Sequence, residues 1–146
     1  DLDLIKQIIH TNTIQTLQLA SIITPYFKKQ GSGTYITISS QAGTYAFPGE
    51  APYCASKAAI DHGIRSIDKE LETLRKNSKE IYIFSIAPGF INTEEARRNF
   101  PNIPKEVWEK TPSPKEFGEI VTQYILNPKD KYKENGPVSL IETVKY

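Results

Sequence analysis

The stretch Ile81-Tyr82-Ile83-Phe84-Ser85-Ile86-Ala87 carries one polar side chain in seven positions. A strand with one face in water alternates polar and apolar residues, and this one does not. A near-continuous apolar strand belongs inside a sheet covered on both faces, the usual condition of parallel strands. Parallel strands need long crossovers, normally helices. Helical patterns on both sides of this stretch supply them.

Before it, Asp3 is placed to cap a helix from about Leu4 to Tyr26, with Ile5, Ile8, Ile9, Leu17 and Leu19 as apolar contributors. Pro25 and then Gly31-Ser32-Gly33 mark its end. The β-branched and aromatic run Thr34 to Ser39 reads as a strand, and Gln41 to Pro52 as a loop. A second long helix is expected from about Tyr53 to Lys76, where Ile60, Ile64, Ile67, Leu71 and Leu74 form a stripe for core packing. After Pro88-Gly89, the polar, proline-broken stretch Thr93 to Thr111 holds Phe100 and Trp108, as a lid over a site or as anchors of the loop. Ser113-Pro114-Lys115-Glu116 is a capping box opening a third helix, which Pro128 and the charged run 129–133 end. Val138 to Val144 reads as a final strand. Helix and strand thus alternate three times, which predicts an α/β fold with a parallel sheet and flanking helices.

Composition removes several function classes. The 146 residues carry 18 basic and 17 acidic side chains, interspersed, for a net charge of +1. No basic stripe supports nucleic-acid binding. No apolar run reaches the ~20 residues of a membrane span, so this chain contains no membrane segment. Cys54 is the one cysteine, which excludes an internal disulfide and favours a reducing, cytoplasmic location. His10 and His62 are isolated, so no metal site is expected. The sequence begins at Asp1 and contains no methionine, which suggests a piece of a longer product.

Against this frame Tyr53 and Lys57 stand out. Four residues apart on a helix, their side chains share a face. An ammonium beside a phenol favours the phenolate, which would prepare the tyrosine for general acid/base work. Ser39-Ser40 ends the first strand, Pro88-Gly89 ends the second, and Tyr53 opens the helix between them. All three segments therefore meet at the carboxyl edge of the sheet, where open α/β folds bind ligands.

These residues resemble the C-terminal part of a short-chain dehydrogenase/reductase. That family shows Ser-Ser-x-x-Gly, then Tyr-x-x-x-Lys thirteen residues after the second serine, then Pro-Gly-x-x-x-Thr. Here Ser40-Gln41-Ala42-Gly43 is followed by Tyr53 at that spacing, and Pro88-Gly89 leads to Thr93. Asn12 matches the family's catalytic asparagine. The resemblance covers essentially the whole chain and implies a Rossmann-type sheet, of which only the C-terminal half is expected here. It implies an NAD(P)-dependent oxidoreductase that interconverts an alcohol and a carbonyl. Tyr53 would be the acid/base, Lys57 its partner and a holder of the nicotinamide ribose, and Ser40 a donor to the substrate oxygen. Asn12 would hold a proton-relay water, although an asparagine within a helix also reads as solvent-facing. Pro88, Gly89, Ile91 and Thr93 would contact the nicotinamide carboxamide end, and Thr93 reads equally well as a helix N-cap.

The family's Gly-x-x-x-Gly-x-Gly turn is missing; Gly31-x-Gly33 precedes a strand instead of following one. The dinucleotide-binding half is therefore expected to be absent, the choice between NAD and NADP undetermined, and the chain alone inactive. Ala55-Ser56-Lys57-Ala58-Ala59-Ile60-Asp61 and Phe90-Ile91-Asn92-Thr93-Glu94 resemble the 11β-hydroxysteroid-dehydrogenase-like branch. That implies a lipophilic small-molecule substrate and allows an endoplasmic-reticulum anchor outside this sequence. In the family the two long helices build a homo-oligomer interface. The alternative expectation is a truncated, non-catalytic relative that keeps those helices as an interaction module.

Overall fold

The computed structural model describes residues 1–141. Its three strands, β1 (Ser32–Ile38), β2 (Glu80–Pro88) and β3 (Val138–Ile141), form one parallel sheet in the order β1-β2-β3. The expected extension to Val144 lies outside the described residues. The fold is the α/β, Rossmann-type arrangement of parallel strands with helices on both faces.

β2 explains its own composition. Ile81 and Ile83 point to one face and join Ile60, Ile64, Leu71, Ala20 and Tyr35 in a core beneath the long helices. Tyr82, Phe84 and Ile86 point to the other and pack with Tyr124. Phe84 is fully buried, meeting Tyr124 edge-on at 5.1 Å. Both faces are covered, so no polar alternation survives. The stripe on the second helix is core packing, as expected.

The first helical region is longer than expected. It runs as α1 (Leu2–Ile9), a π-helical turn (His10–Ile14) and α2 (Gln15–Gln30). Asp1, not Asp3, is the N-cap, accepting from the Asp3 amide at 2.9 Å. Pro25 lies inside α2 rather than ending it. Pro25 and Ser21 are both exposed, so the carbonyl left without its N–H partner faces solvent. The true terminator is Gly31, in the left-handed conformation at φ 88°.

α3 spans Ala51–Lys76, with Pro52 in its first turn. The stretch 93–111 folds into two short helices, α4 (Glu94–Asn99) and α5 (Lys105–Lys110). α6 (Pro114–Leu126) opens with the expected capping box. Pro128 ends α6 but also starts α7 (Pro128–Asn135), where a loop was expected. A proline's fixed φ suits the first helical position, so the same residue stops one helix and begins the next. α7 is held down by Tyr132, whose hydroxyl donates to Asp68 at 2.7 Å and accepts from Arg75 at 2.8 Å. Among the described residues no helix is long and apolar enough to cross a membrane.

Candidate active site

β1 and β2 pair in register, with Ile38 opposite Ile86. The Ser39 amide extends the ladder to Ile86 O at 2.8 Å. Ser40 and Pro88 therefore leave the sheet side by side. Ser40 adopts an extended backbone and caps the short 3-10 turn Gln41–Gly43, its Oγ accepting from the Ala42 amide at 3.1 Å. The hydroxyl proton of Ser40 remains available to an oxygen in front of it.

Tyr53 lies in the first turn of α3, facing this edge. Lys57 follows one turn later, its Nζ 5.6 Å from the Tyr53 ring centroid. Nζ donates to the Ile38 carbonyl at 3.1 Å, which leaves two ammonium hydrogens for a ligand. Burial draws the Lys57 pKa below its usual value, and the charge of Asp61 opposes that. Desolvation is the larger effect because the partly covered lysine has lost part of its water and gained one carbonyl acceptor in its place.

A cleft of about 840 Å³ opens at this edge and brings together Ser40, Tyr53, Gly89, Ile91 and Thr93. Phe47, Phe90 and Phe100 supply its apolar wall. Phe90 stacks edge-on with Phe100 at 4.8 Å and with Trp108 at 5.6 Å. The two embedded aromatics thus divide the expected roles. Trp108 is buried and anchors the segment, whereas Phe100 is 38% exposed and faces the cleft. Thr93 caps α4, its Oγ1 accepting from the Ala96 amide at 3.0 Å, while also lining the cleft.

Asn12, Lys57 and Pro88 are not part of that lining. Asn12 sits in the π-helical turn, and such widened turns recur at functional sites. Its Nδ2 donates to Ser56 Oγ at 3.1 Å, and Ser56 Oγ donates to the Tyr53 carbonyl at 2.7 Å. Thr13 Oγ1 adds a bond to the Ser56 carbonyl at 3.0 Å. The first helical region is therefore tied to the backbone of Tyr53 through a serine with no exposed surface.

Several supporting residues escaped the sequence reading. Gln41 Nε2 reaches Ile141 O at 3.1 Å, pinning the Ser40 turn to β3 across a separation of 100 residues. Asn92 holds the aromatic segment through the Trp108 carbonyl at 2.8 Å. Asp61, buried beneath the turn, accepts from Ser85 Oγ at 2.6 Å. The polar residue in the otherwise apolar β2 was the one available signal for that contact.

A family model described as short chain dehydrogenase matches residues 1–103. A 3-oxoacyl-(acyl-carrier-protein) reductase of Thermotoga maritima is 33% identical over 86 residues, covering 59% of this chain and 33% of that protein. A 7alpha-hydroxysteroid dehydrogenase of Bacteroides fragilis is 27% identical over 130 residues, covering 89% of this chain and 45% of that protein. This chain thus spans between a third and just under half of these curated relatives. Among solved structures, an acetoin dehydrogenase from Enterobacter cloacae superposes with a TM-score of 0.74 at 21% identity, covering 98% of this chain and 56% of that one. At that identity the likeness shows the fold.

Proposed function

The chain belongs to the short-chain dehydrogenase/reductase family, and from that premise we propose that it is the catalytic portion of an NAD(P)-dependent oxidoreductase interconverting an alcohol and a carbonyl. The observation that carries this reading is the shared cleft: Ser40 and Tyr53 line it together, with the Lys57 ammonium against the Tyr53 ring. Tyr53 gives its phenolic proton to a carbonyl oxygen in reduction and takes one back from the alcohol in oxidation. Ser40 donates to the same oxygen and steadies charge that develops there. Asn12, through Ser56, holds the segment behind the tyrosine and supports proton exchange with solvent.

The residues present fit the nicotinamide end of the cofactor. Lys57 has uncommitted ammonium hydrogens for ribose hydroxyls, and Gly89, Ile91 and Thr93 form the cleft wall beside Tyr53. Pro88 sets the direction in which that wall leaves the sheet. When bound, the nicotinamide would supply or accept the hydride. We assign the pyrophosphate end, and with it the choice between NAD and NADP, to residues other than these 146. The aromatic wall favours a lipophilic small molecule as substrate, in keeping with the resemblance to the hydroxysteroid-dehydrogenase-like branch.

The test is oxidation of NADH and NADPH by the full translated product with a panel of apolar ketones, beside its Tyr53→Phe variant. Turnover that is unchanged in the variant would refute the reading. The 146-residue chain alone is expected to bind neither dinucleotide.

A second reading, an interaction module, is favoured by one observation. Leu4, Ile14, Leu19 and Ile22 are each at least half exposed along α1, the π-helical turn and α2. Apolar side chains displayed in this way suit pairing with a second copy. Sedimentation of the full product, with and without Leu19→Glu and Ile22→Glu, tests it; a monomer in both cases would remove it.

A further inference from the structure

Asp61 lies one turn beyond Lys57 on α3 and is 2% exposed. Its Oδ1 accepts from Ser85 Oγ at 2.6 Å, and its Oδ2 is buried with no hydrogen-bond donor among the described residues. A carboxylate removed from water with a single hydroxyl donor is costly unless something offsets its charge. The position of Oδ2 is telling. A methyl group added at Gly43 would stand 2.6 Å from it, and 3.0 Å from the backbone carbon of Lys57. The carboxylate therefore occupies the junction of α3, the Gln41–Gly43 turn and β2. Those three segments carry Tyr53 with Lys57, Ser40, and Pro88-Gly89.

Lys57 is the group that can offset it. Residues four apart share a helix face. The Lys57 ammonium donates to Ile38 O, and Asp61 Oδ2 receives no hydrogen bond, so the two act on each other through charge rather than contact. With the carboxylate buried and the lysine partly covered, such a pair interacts more strongly than two charges in open water.

We propose that Asp61 is a positioning residue of this site: its charge holds the Lys57 ammonium beside Tyr53, and its carboxylate seats the turn that carries Ser40. The consequence for turnover rests on the oxidoreductase reading; the coupling of Asp61 to Lys57 does not. Asp61 raises the proton affinity of Lys57 against the larger, opposite effect of burial. The other titratable groups around Asp61 are few. Among the described residues, α3 contributes Tyr53, Cys54 and the buried Asp68, which pairs with Arg75, while His62 and Arg65 are exposed. The Gln41–Gly43 turn and β3 contribute none, and β2 has Glu80 and Tyr82 only at its far end. Asp3, Lys6 and His10 of α1 and the π-helical turn are exposed.

The experiment is an NMR titration of the Lys57 side chain in lysine-labelled protein, assigned with Lys57→Arg. Asp61→Asn keeps the shape and removes the charge; it should shift the Lys57 midpoint downward, a loss of proton affinity. A role in filling space alone would leave that midpoint where it is, and this result overturns the proposal. Should Asp61→Asn fail to fold, Asp61→Ser, which also removes the charge, is titrated instead, and an unmoved Lys57 midpoint in that folded variant also overturns the proposal. Neither titration needs cofactor or substrate. Failure of the coupling therefore leaves the oxidoreductase reading standing, and undiminished turnover in Tyr53→Phe would remove that reading without touching the coupling.

Discussion

The ammonium of Lys57 donates to the carbonyl of Ile38 at 3.1 Å, joining α3 to the last residue of β1. One bond thereby couples the helix that presents Tyr53 to the strand whose end presents Ser40. The relative placement of the phenol and the hydroxyl depends on a side chain that also carries the charge. Lys57 is thus both a strut and an electrostatic partner.

Those two roles separate in a substitution. Replacing Lys57 by Met removes an ammonium that burial disfavours. By linkage alone, with the folded pKa depressed, the unfolded chain binds more protons between the folded value and the usual lysine value, so the charge by itself costs stability at pH 7. Lys57→Met is nevertheless expected to melt lower than the native protein at pH 7, because it leaves the Ile38 carbonyl without its donor and the buried Asp61 carboxylate without its offsetting charge. Its turnover is expected to fall about 10²–10⁴-fold, like that of Tyr53→Phe. Calorimetry beside NAD(P)H oxidation reads both effects.

Gly43 is required for space, not for its φ. A Cβ there would meet Asp61 Oδ2 at 2.6 Å and the Ala58 amide nitrogen at 3.1 Å. Gly43→Ala should push the turn off α3, costing about 1–3 kcal/mol as in other overpacked sites. Urea unfolding reads the cost, and kcat should drop with Ser40 displaced. Gly118, with open space around its Cβ position, is the control, and Gly118→Ala should gain stability slightly.

Ser56→Ala cuts the link between Asn12 and the Tyr53 carbonyl. The serine is fully buried and both donates and accepts. Its loss should cost about 1 kcal/mol, the typical worth of a part-buried hydrogen bond. Amide exchange should then quicken in residues 10–14 before it does in α6, which lies on the other face of the sheet.

Alkaline pH should loosen α7. Burial, reinforced by the Asp68 carboxylate, pushes the Tyr132 pKa up to about 12. Between the unfolded value near 10 and that folded value the unfolded chain binds fewer protons, so stability falls as pH rises. The melting temperature should decline across this window in the native protein and decline less in Tyr132→Phe. An identical slope in both proteins would exclude the assignment.

What could be read from the chain was what is local in it. The apolar run of β2, the stripe from Ile60 to Leu74 and the capping box at Ser113 declared their elements, because hydrogen bonding and periodicity repeat within a few residues. Placing Ser40, Tyr53 and Pro88-Gly89 on one edge followed from strand order and direction alone. Pro25 and Pro128 misled because proline's effect depends on where in a helix it stands and on whether the freed carbonyl meets water. Only the tertiary structure decided what surrounds the tyrosine. Gln41 finds Ile141, Asn12 finds Ser56, and Asp61 settles between Ser85 and Gly43. Those partners lie far apart in sequence, and it is the closing of the sheet and helices that desolvates them, so the energies that fix the site exist only once the chain has folded.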